Sequence, residues 1–211
     1  MYSMGNGLQL LLAAVLGIGL ALFCIRCIDN GVRPTIIAIA QSKAKNAVTS
    51  IVNAAVDKTI AAEGIDYDDM VAVQTDFSGR ITALTSHFTQ MNRLRSQIMD
   101  EIICKVDTLD TGSLGIPLGN LTGLSALSGT GPVLPVRVLS VAAVNAEFRN
   151  QFSAAGINQT HHQVLLDVTV VLKLLLPGGA VETDIKTQVN VAETVIVGQV
   201  PDAYLQFGQT Q

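Results

Sequence analysis

Tryptophan is absent from this chain of 211 residues, and Phe and Tyr together supply only nine. Surfaces that stack nucleic-acid bases or sugar rings rely on aromatic faces, so neither is expected here. Basic residues are also scarce: 13 Lys and Arg stand against 17 Asp and Glu, a net charge of −4. That balance leaves no electropositive footprint for a polyanion. Three cysteines, Cys24, Cys27 and Cys104, are too few for a disulfide framework. Cys24 and Cys27 have C-x-x-C spacing, but they close an apolar run and no second pair exists, so redox or zinc chemistry is not expected. Cys104 stands beside Ile102, Ile103 and Val106 and reads as a small core residue.

Side-chain charge is missing altogether before Arg26. From Leu8 to Ile28 the chain reads LQLLLAAVLGIGLALFCIRCI. At about 1.5 Å per residue a helix of this length spans about 30 Å, the hydrocarbon thickness of a bilayer. A cleaved signal would have a basic start and a small-x-small site, and neither is present. Phe23 precedes Cys24, where a lipoprotein site needs a small residue. The expectation is an uncleaved single-pass transmembrane anchor over residues 1–30. Arg26 and Arg33, offset by Asp29, taken alone favour a cytoplasmic domain.

Beyond the anchor, Pro34 suits the first turn of a helix. Ile37, Ala40, Ala44, Ala47, Ile51, Ala55 and Thr59 recur at steps of three and four, predicting a helix to about Ala62, stopped by Gly64. A short break at Asp29–Arg33 would separate it from the anchor. Met70–Thr75 and Arg80–Thr85 flank Asp76-Phe77-Ser78-Gly79 and read as a hairpin. Met91, Leu94, Ile98, Ile102, Val106 and Leu109 mark a second amphipathic helix, Thr89–Leu109.

The C-terminal part alternates. Val164, Leu166, Val168, Val170, Leu172, Leu174 and Leu176 share one parity, and Val181, Thr183, Ile185, Thr187, Val189 and Val191 another. Pairing Leu176 with Val181 aligns both apolar sets and sets Lys173 opposite Asp184. A third strand is expected in Val136–Val144. The sum is an α+β fold: an antiparallel β-sheet with helices packed on one face, a single domain over 33–205, and a loose polar tail over 206–211.

Residues 111–136 carry no charge and contain six glycines and three prolines, which forbids a regular helix. They read as a long structured loop, and such loops tend to be functional. Without a Lys in the stretch no Walker-type phosphate cradle exists. Ile116, Leu118, Leu121, Leu124 and Leu127 are the candidate contact surface for a protein partner, a second copy or the membrane. The competing reading is that these side chains cap the domain's own sheet.

Catalytic constellations are not evident. His161 and His162 are adjacent, so on a strand they point to opposite faces and are poorly placed to share a metal; they read as the start of a strand at the domain rim. Asp66-Tyr67-Asp68-Asp69 lacks the spacing of a calcium loop and reads as a solvated turn. The serines of the loop have no G-x-S-x-G setting. Asn120-Leu121-Thr122 and Asn158-Gln159-Thr160 match glycosylation sequons, a pattern of low specificity. The chain is expected not to be an enzyme, with no cofactor, no metal, no nucleic acid and no evident small-molecule substrate.

Three stretches in order carry a family resemblance. They are Arg33-Pro34-Thr35-Ile36-Ile37-Ala38-Ile39-Ala40; Ile116 to Gly123, running on to Gly131-Pro132; and Ala155-Gly156-Ile157-Asn158-Gln159-Thr160-His161-His162 with the later Ala192-Glu193-Thr194-Val195-Ile196-Val197-Gly198-Gln199-Val200-Pro201. Behind one apolar N-terminal segment they resemble the sporulation protein YunB family of endospore-forming Firmicutes. The resemblance spans about Arg33 to Tyr204. It implies a membrane protein of the mother cell, required for endospore formation, with its domain on the extracytoplasmic side. Family members usually open with a basic cytoplasmic segment, and Met1–Gly7 has none. The alternatives are a pilin-like secretion subunit, which lacks its leader and Glu here, and a membrane-bound cell-wall or peptide hydrolase built on His161, His162 and Glu193.

Overall fold

The computed structural model describes residues 4–109 and 114–198, without the side chains of 4–10, 24, 25 and 27–30. The side chains of Cys24, Cys27 and Asp29, residues Gly112 and Ser113, the Gln199–Pro201 end of the family phrase and the 206–211 tail lie outside the described residues. The elements in chain order are α1 (Met4–Glu63), α2 (Tyr67–Met70), β1 (Val71–Thr75), β2 (Ile81–Ser86), α3 (Phe88–Asp107), β3 (Ile116–Pro117), β4 (Val133–Leu134), β5 (Arg137–Ala154), β6 (Gln159–Leu176) and β7 (Gly179–Val197). The α+β expectation holds: helices accompany a three-stranded sheet of order β5-β6-β7 and two small two-stranded pairs.

Helix α1 corrects two expectations. It has no break at Asp29–Arg33, and Pro34 sits inside it rather than at its start. An interior proline forfeits one backbone bond, at a cost of about 3 kcal/mol, which tertiary burial must offset. That burial begins at once: Ile36, Ala40 and Ala44, then Val48, Val52, Ala55 and Val56, are all buried. Ala40, Ala44 and Ala55 of the expected stripe are in this seam, while its other positions fall to Ile36, Val48, Val52 and Val56, with Ile37, Ala47 and Ile51 half-buried at its flank. Small Ala40 and Ala44 let the backbone come close, and the β-branched valines fill the seam at steps of four. Among the described residues no helix is long and apolar enough to cross a membrane, so the expected transmembrane helix gains no support from the fold.

Contacts divide the described chain into two units. The first comprises residues up to 44, 114–137 and 174–181; the second 45–109, 138–173 and 182–198. In the first, Leu114, Ile116, Val136, Leu174 and Leu176 join Ile36, Ala40 and Ala44 as buried residues. Ile116 pairs with Leu134 and Pro117 with Val133, closing the glycine-rich loop at its base. Lys43 Nζ donates to the Gly115 carbonyl, and Arg33 Nη2 donates to the Gly178 carbonyl at 3.0 Å.

In the second unit the predicted hairpin forms, with Val71 opposite Ser86 and an irregularity at Gln74–Thr75. Asp76 shapes its turn by accepting from Ser78 N, Arg80 N and Arg80 Nε at 2.8–2.9 Å. Those donors hold the Asp76 carboxyl below its ordinary pKa. Helix α3 buries Met91, Leu94, Ile98, Ile102 and Val106, the stripe read from the sequence. Cys104 is exposed, against expectation. Two residues past Ile102 a helix has turned about 200°, which puts the thiol on the solvent side. Polar pairs link the helices: Lys58–Glu101 at 2.9 Å, Arg93–Glu63 at 3.2 Å and Gln97–Glu63 at 2.9 Å. Asp66–Asp69 is more than a turn: Asp69 Oδ2 accepts from Asp66 N at 2.9 Å and caps α2.

The large sheet is built of strands of 18, 18 and 19 residues, longer than expected for β5. Every even residue of β6 from His162 to Leu176 is buried. A two-residue turn, Pro177–Gly178, joins β6 to β7, and Gln188 Nε2 donates to Asp167 at 2.7 Å. Both fit a pairing two residues tighter than expected, with Leu174 rather than Leu176 opposite Val181. A shift of two preserves the faces, which is why the apolar pattern alone could not distinguish the registers. Gly178 has φ +95, a conformation that favours glycine after proline.

Ile98→Ala should lower the unfolding free energy of the full chain by about 2–5 kcal/mol. Ile103→Ala, at a side chain 42% exposed, should change it by less than about 0.5 kcal/mol. Urea unfolding in detergent solution measures both.

Candidate functional site

Two constellations stand out, one in each unit. The first is the uncharged loop. Its base is closed by Leu118 N to the Pro132 carbonyl and Gly119 N to the Thr130 carbonyl, both 2.9 Å. Two short 3-10 turns, Leu118–Leu121 and Ser125–Leu127, fold back on each other. Gly119 is where the two meet: a Cβ there would lie 1.8 Å from the Leu127 carbonyl oxygen and 2.8 Å from that of Thr130. Asn120 Oδ1 ties the return by accepting from Gly129 N at 2.7 Å and Ser128 Oγ at 3.1 Å. Chain reversal without charge thus rests on one close backbone approach and one buttressing amide.

This geometry separates the five leucine and isoleucine positions of the candidate contact surface. Ile116 is fully buried and Leu121 half-buried. Leu118, Leu124 and Leu127 are exposed at 39%, 60% and 43%. The loop therefore caps part of the unit's own core and still shows Leu118, Leu124 and Leu127 to solvent.

The second constellation is polar and centres on β6. His162 is 1% exposed, and its Nδ1 lies 2.6 Å from the Tyr67 hydroxyl. Phe152 stacks on the imidazole at 4.4 Å and 17°, and Tyr67 meets it edge-on at 5.7 Å. With Tyr67 donating, Nδ1 accepts and the ring proton sits on Nε2, which has no partner among the described residues. Burial, then the charge of His161, lowers the His162 pKa below the ordinary imidazole value. Burial, then Asp68, raises that of Tyr67. His161 points to the other face, as adjacent strand residues must, and its Nε2 lies 3.3 Å from Glu193. Glu193 also accepts from Asn190 at 2.7 Å and Gln163 at 3.1 Å, and these bonds hold its pKa down.

The two histidines thus share no ligand, and His162 is a core group rather than a rim residue. The partner that makes it so, Tyr67, is 95 residues away, and no local spacing signals it. Among the described residues no group of three His, Cys, Asp or Glu side chains is placed to hold a metal. An open cavity of about 640 Å³ is lined by Asp68, Asp69, Ser86 and His87 with the start of α3. There Ser86 Oγ accepts from Asn150 Nδ2 at 3.2 Å.

The pattern that defines the sporulation protein YunB family matches residues 113–203. This chain is similar to the YunB family. It is 20% identical over 187 residues to sporulation protein YunB of Bacillus subtilis (strain 168), covering 84% of this chain and 73% of that one. No solved structure matches. The YunB match takes in the loop, β5, β6 and β7, and so Gly119, His161, His162 and Glu193, but not Tyr67.

Gly119→Ala should destabilise the full chain by about 1–3 kcal/mol, because backbone atoms must move to admit the methyl. Gly156→Ala, whose added carbon meets nothing closer than 3.7 Å, should stay within about 0.5 kcal/mol. A second outcome concerns pH. The unfolded chain binds the His162 proton at about pH 6.5, above the lowered folded pKa. The stability associated with neutral His162 is therefore complete above about pH 6.5 and is lost as pH falls toward the folded pKa. Urea midpoints at pH 8 and pH 5.5 should show this slope in the parent chain and a shallower one in His162→Gln.

Proposed function

We propose that this chain is a membrane-anchored, non-enzymatic sporulation protein acting in assembly or as a scaffold, with its sheet on the extracytoplasmic side. The observation that carries the reading is the YunB match over residues 113–203, which coincides with the loop and the three long strands. The anchor is supported by the absence of charge before Arg26 and by the exposure of α1 from Leu11 to Phe23. Within that stretch Leu11, Leu12, Val15, Leu16, Ile18, Leu20, Leu22 and Phe23 are each at least 60% exposed. A helix apolar on all sides and bare of cover suits lipid better than water. The non-enzymatic reading rests on the polar groups themselves: His162 is sealed against Tyr67 and Phe152, and His161 Nε2 is turned to the Glu193 carboxylate at 3.3 Å. The contact surface is the exposed part of the loop, Leu118, Leu124 and Leu127.

In an endospore former carrying this chain in place of its own YunB, alkaline carbonate should leave the protein in the membrane pellet. Release into the supernatant would remove the anchor from the reading. Leu124→Asp with Leu127→Asp should cut the yield of heat-resistant spores by about tenfold or more while the urea midpoint stays within about 0.5 kcal/mol of the parent, as for exposed sites elsewhere. Normal yield with an intact fold would show that the loop is no contact surface.

A further inference from the structure

The three-stranded sheet has two edges, and they are built differently. Strand β7 carries exposed Glu182, Asp184, Lys186 and Glu193 along its length. Charges of that kind keep a strand from pairing with another chain. Strand β5 carries Arg137, Glu147 and Arg149, with no Lys and no Pro in its 18 residues. Arg149 is already engaged with Asp167 at 3.2 Å. Between Arg137 and Glu147 run nine uncharged residues, Val138 to Ala146, of which only Ala146 is buried. Leu139 is 56% exposed, and Ala142 and Ala143 are exposed on opposite faces. A long, uncharged strand edge bare on both faces is a template for a further strand.

We propose that β5 pairs antiparallel with β5 of a second copy, about a twofold axis at Ala142. Charge selects both the partner and the register. Centred on Ala142, the pairing sets Arg137 of each copy directly opposite Glu147 of the other, so two ion pairs bracket an uncharged centre. Leu139 then faces Asn145, Ser140 faces Val144, and Val141 faces Ala143. A parallel in-register pairing would instead oppose like charges at both positions, which is unfavourable. Twofold closure covers the β5 edge of each copy and leaves only the charged β7 edges outside.

The test uses the full chain in detergent with Cys24, Cys27 and Cys104 changed to Ser. Ala142→Cys on this background should give a disulfide-linked dimer on mild oxidation, and Lys186→Cys should not. Arg137→Glu or Glu147→Arg alone should weaken the dimer about tenfold or more, and the two together should restore it. A monomeric parent chain, a dimer indifferent to both charge reversals, or a dimer without the Ala142 link would each overturn the pairing.

Discussion

The structure depends on burying one face of β6. Every second residue from His162 to Leu176 points into protein, and seven of these eight are Val or Leu. Such a face cannot meet water and must be covered by apolar groups; buried apolar seams also run along α1 and α3. The parity of β6 then sets the fate of its neighbours. It sends His162 inward and His161 outward, and it aligns Thr183 and Ile185 of β7 with the same core. A change of register by two residues leaves all of this intact, whereas a change by one would invert it.

An ionisable ring has been admitted to this core at its His162 end. The tyrosine hydroxyl satisfies one ring nitrogen, Phe152 covers the ring, and the neutral imidazole tolerates an environment that a cation would not. The pair therefore reads as a structural latch between α2 and β6 rather than a catalytic group. On the outer face the His161–Glu193–Asn190–Gln163 cluster remains wet, with Glu193 held ionised by amide donors. Two neighbouring histidines thus have different fates because one residue step on a strand exchanges interior for exterior.

The apolar surfaces left uncovered also share a logic. Leu11–Phe23, the loop leucines and the Val138–Ala146 edge are uncharged where neighbouring surfaces of the same chain carry Lys, Arg, Asp and Glu. Large exposed apolar area is costly in water.

The amino-acid sequence by itself determined the α3 stripe, the β1–β2 hairpin and the alternation of β6 and β7, because each is a local periodicity of 3.6 or 2 that survives any packing. The family resemblance was likewise legible in short phrases such as Ala155–Thr160. It located the glycine-rich loop but not its interior, since a close approach such as that of Gly119 to Leu127 leaves no periodic trace. Tertiary structure alone decided the rest. The continuity of α1 through Pro34, the choice of Val48 and Val52 over Ala47 and Ile51 in its seam, the exposure of Cys104 and the tighter β6–β7 turn each depend on which neighbour arrives. The same holds for the Tyr67–His162 bond, which links residues 95 apart. Its formation depends on how the intervening helices and hairpin pack, information that no window of sequence contains.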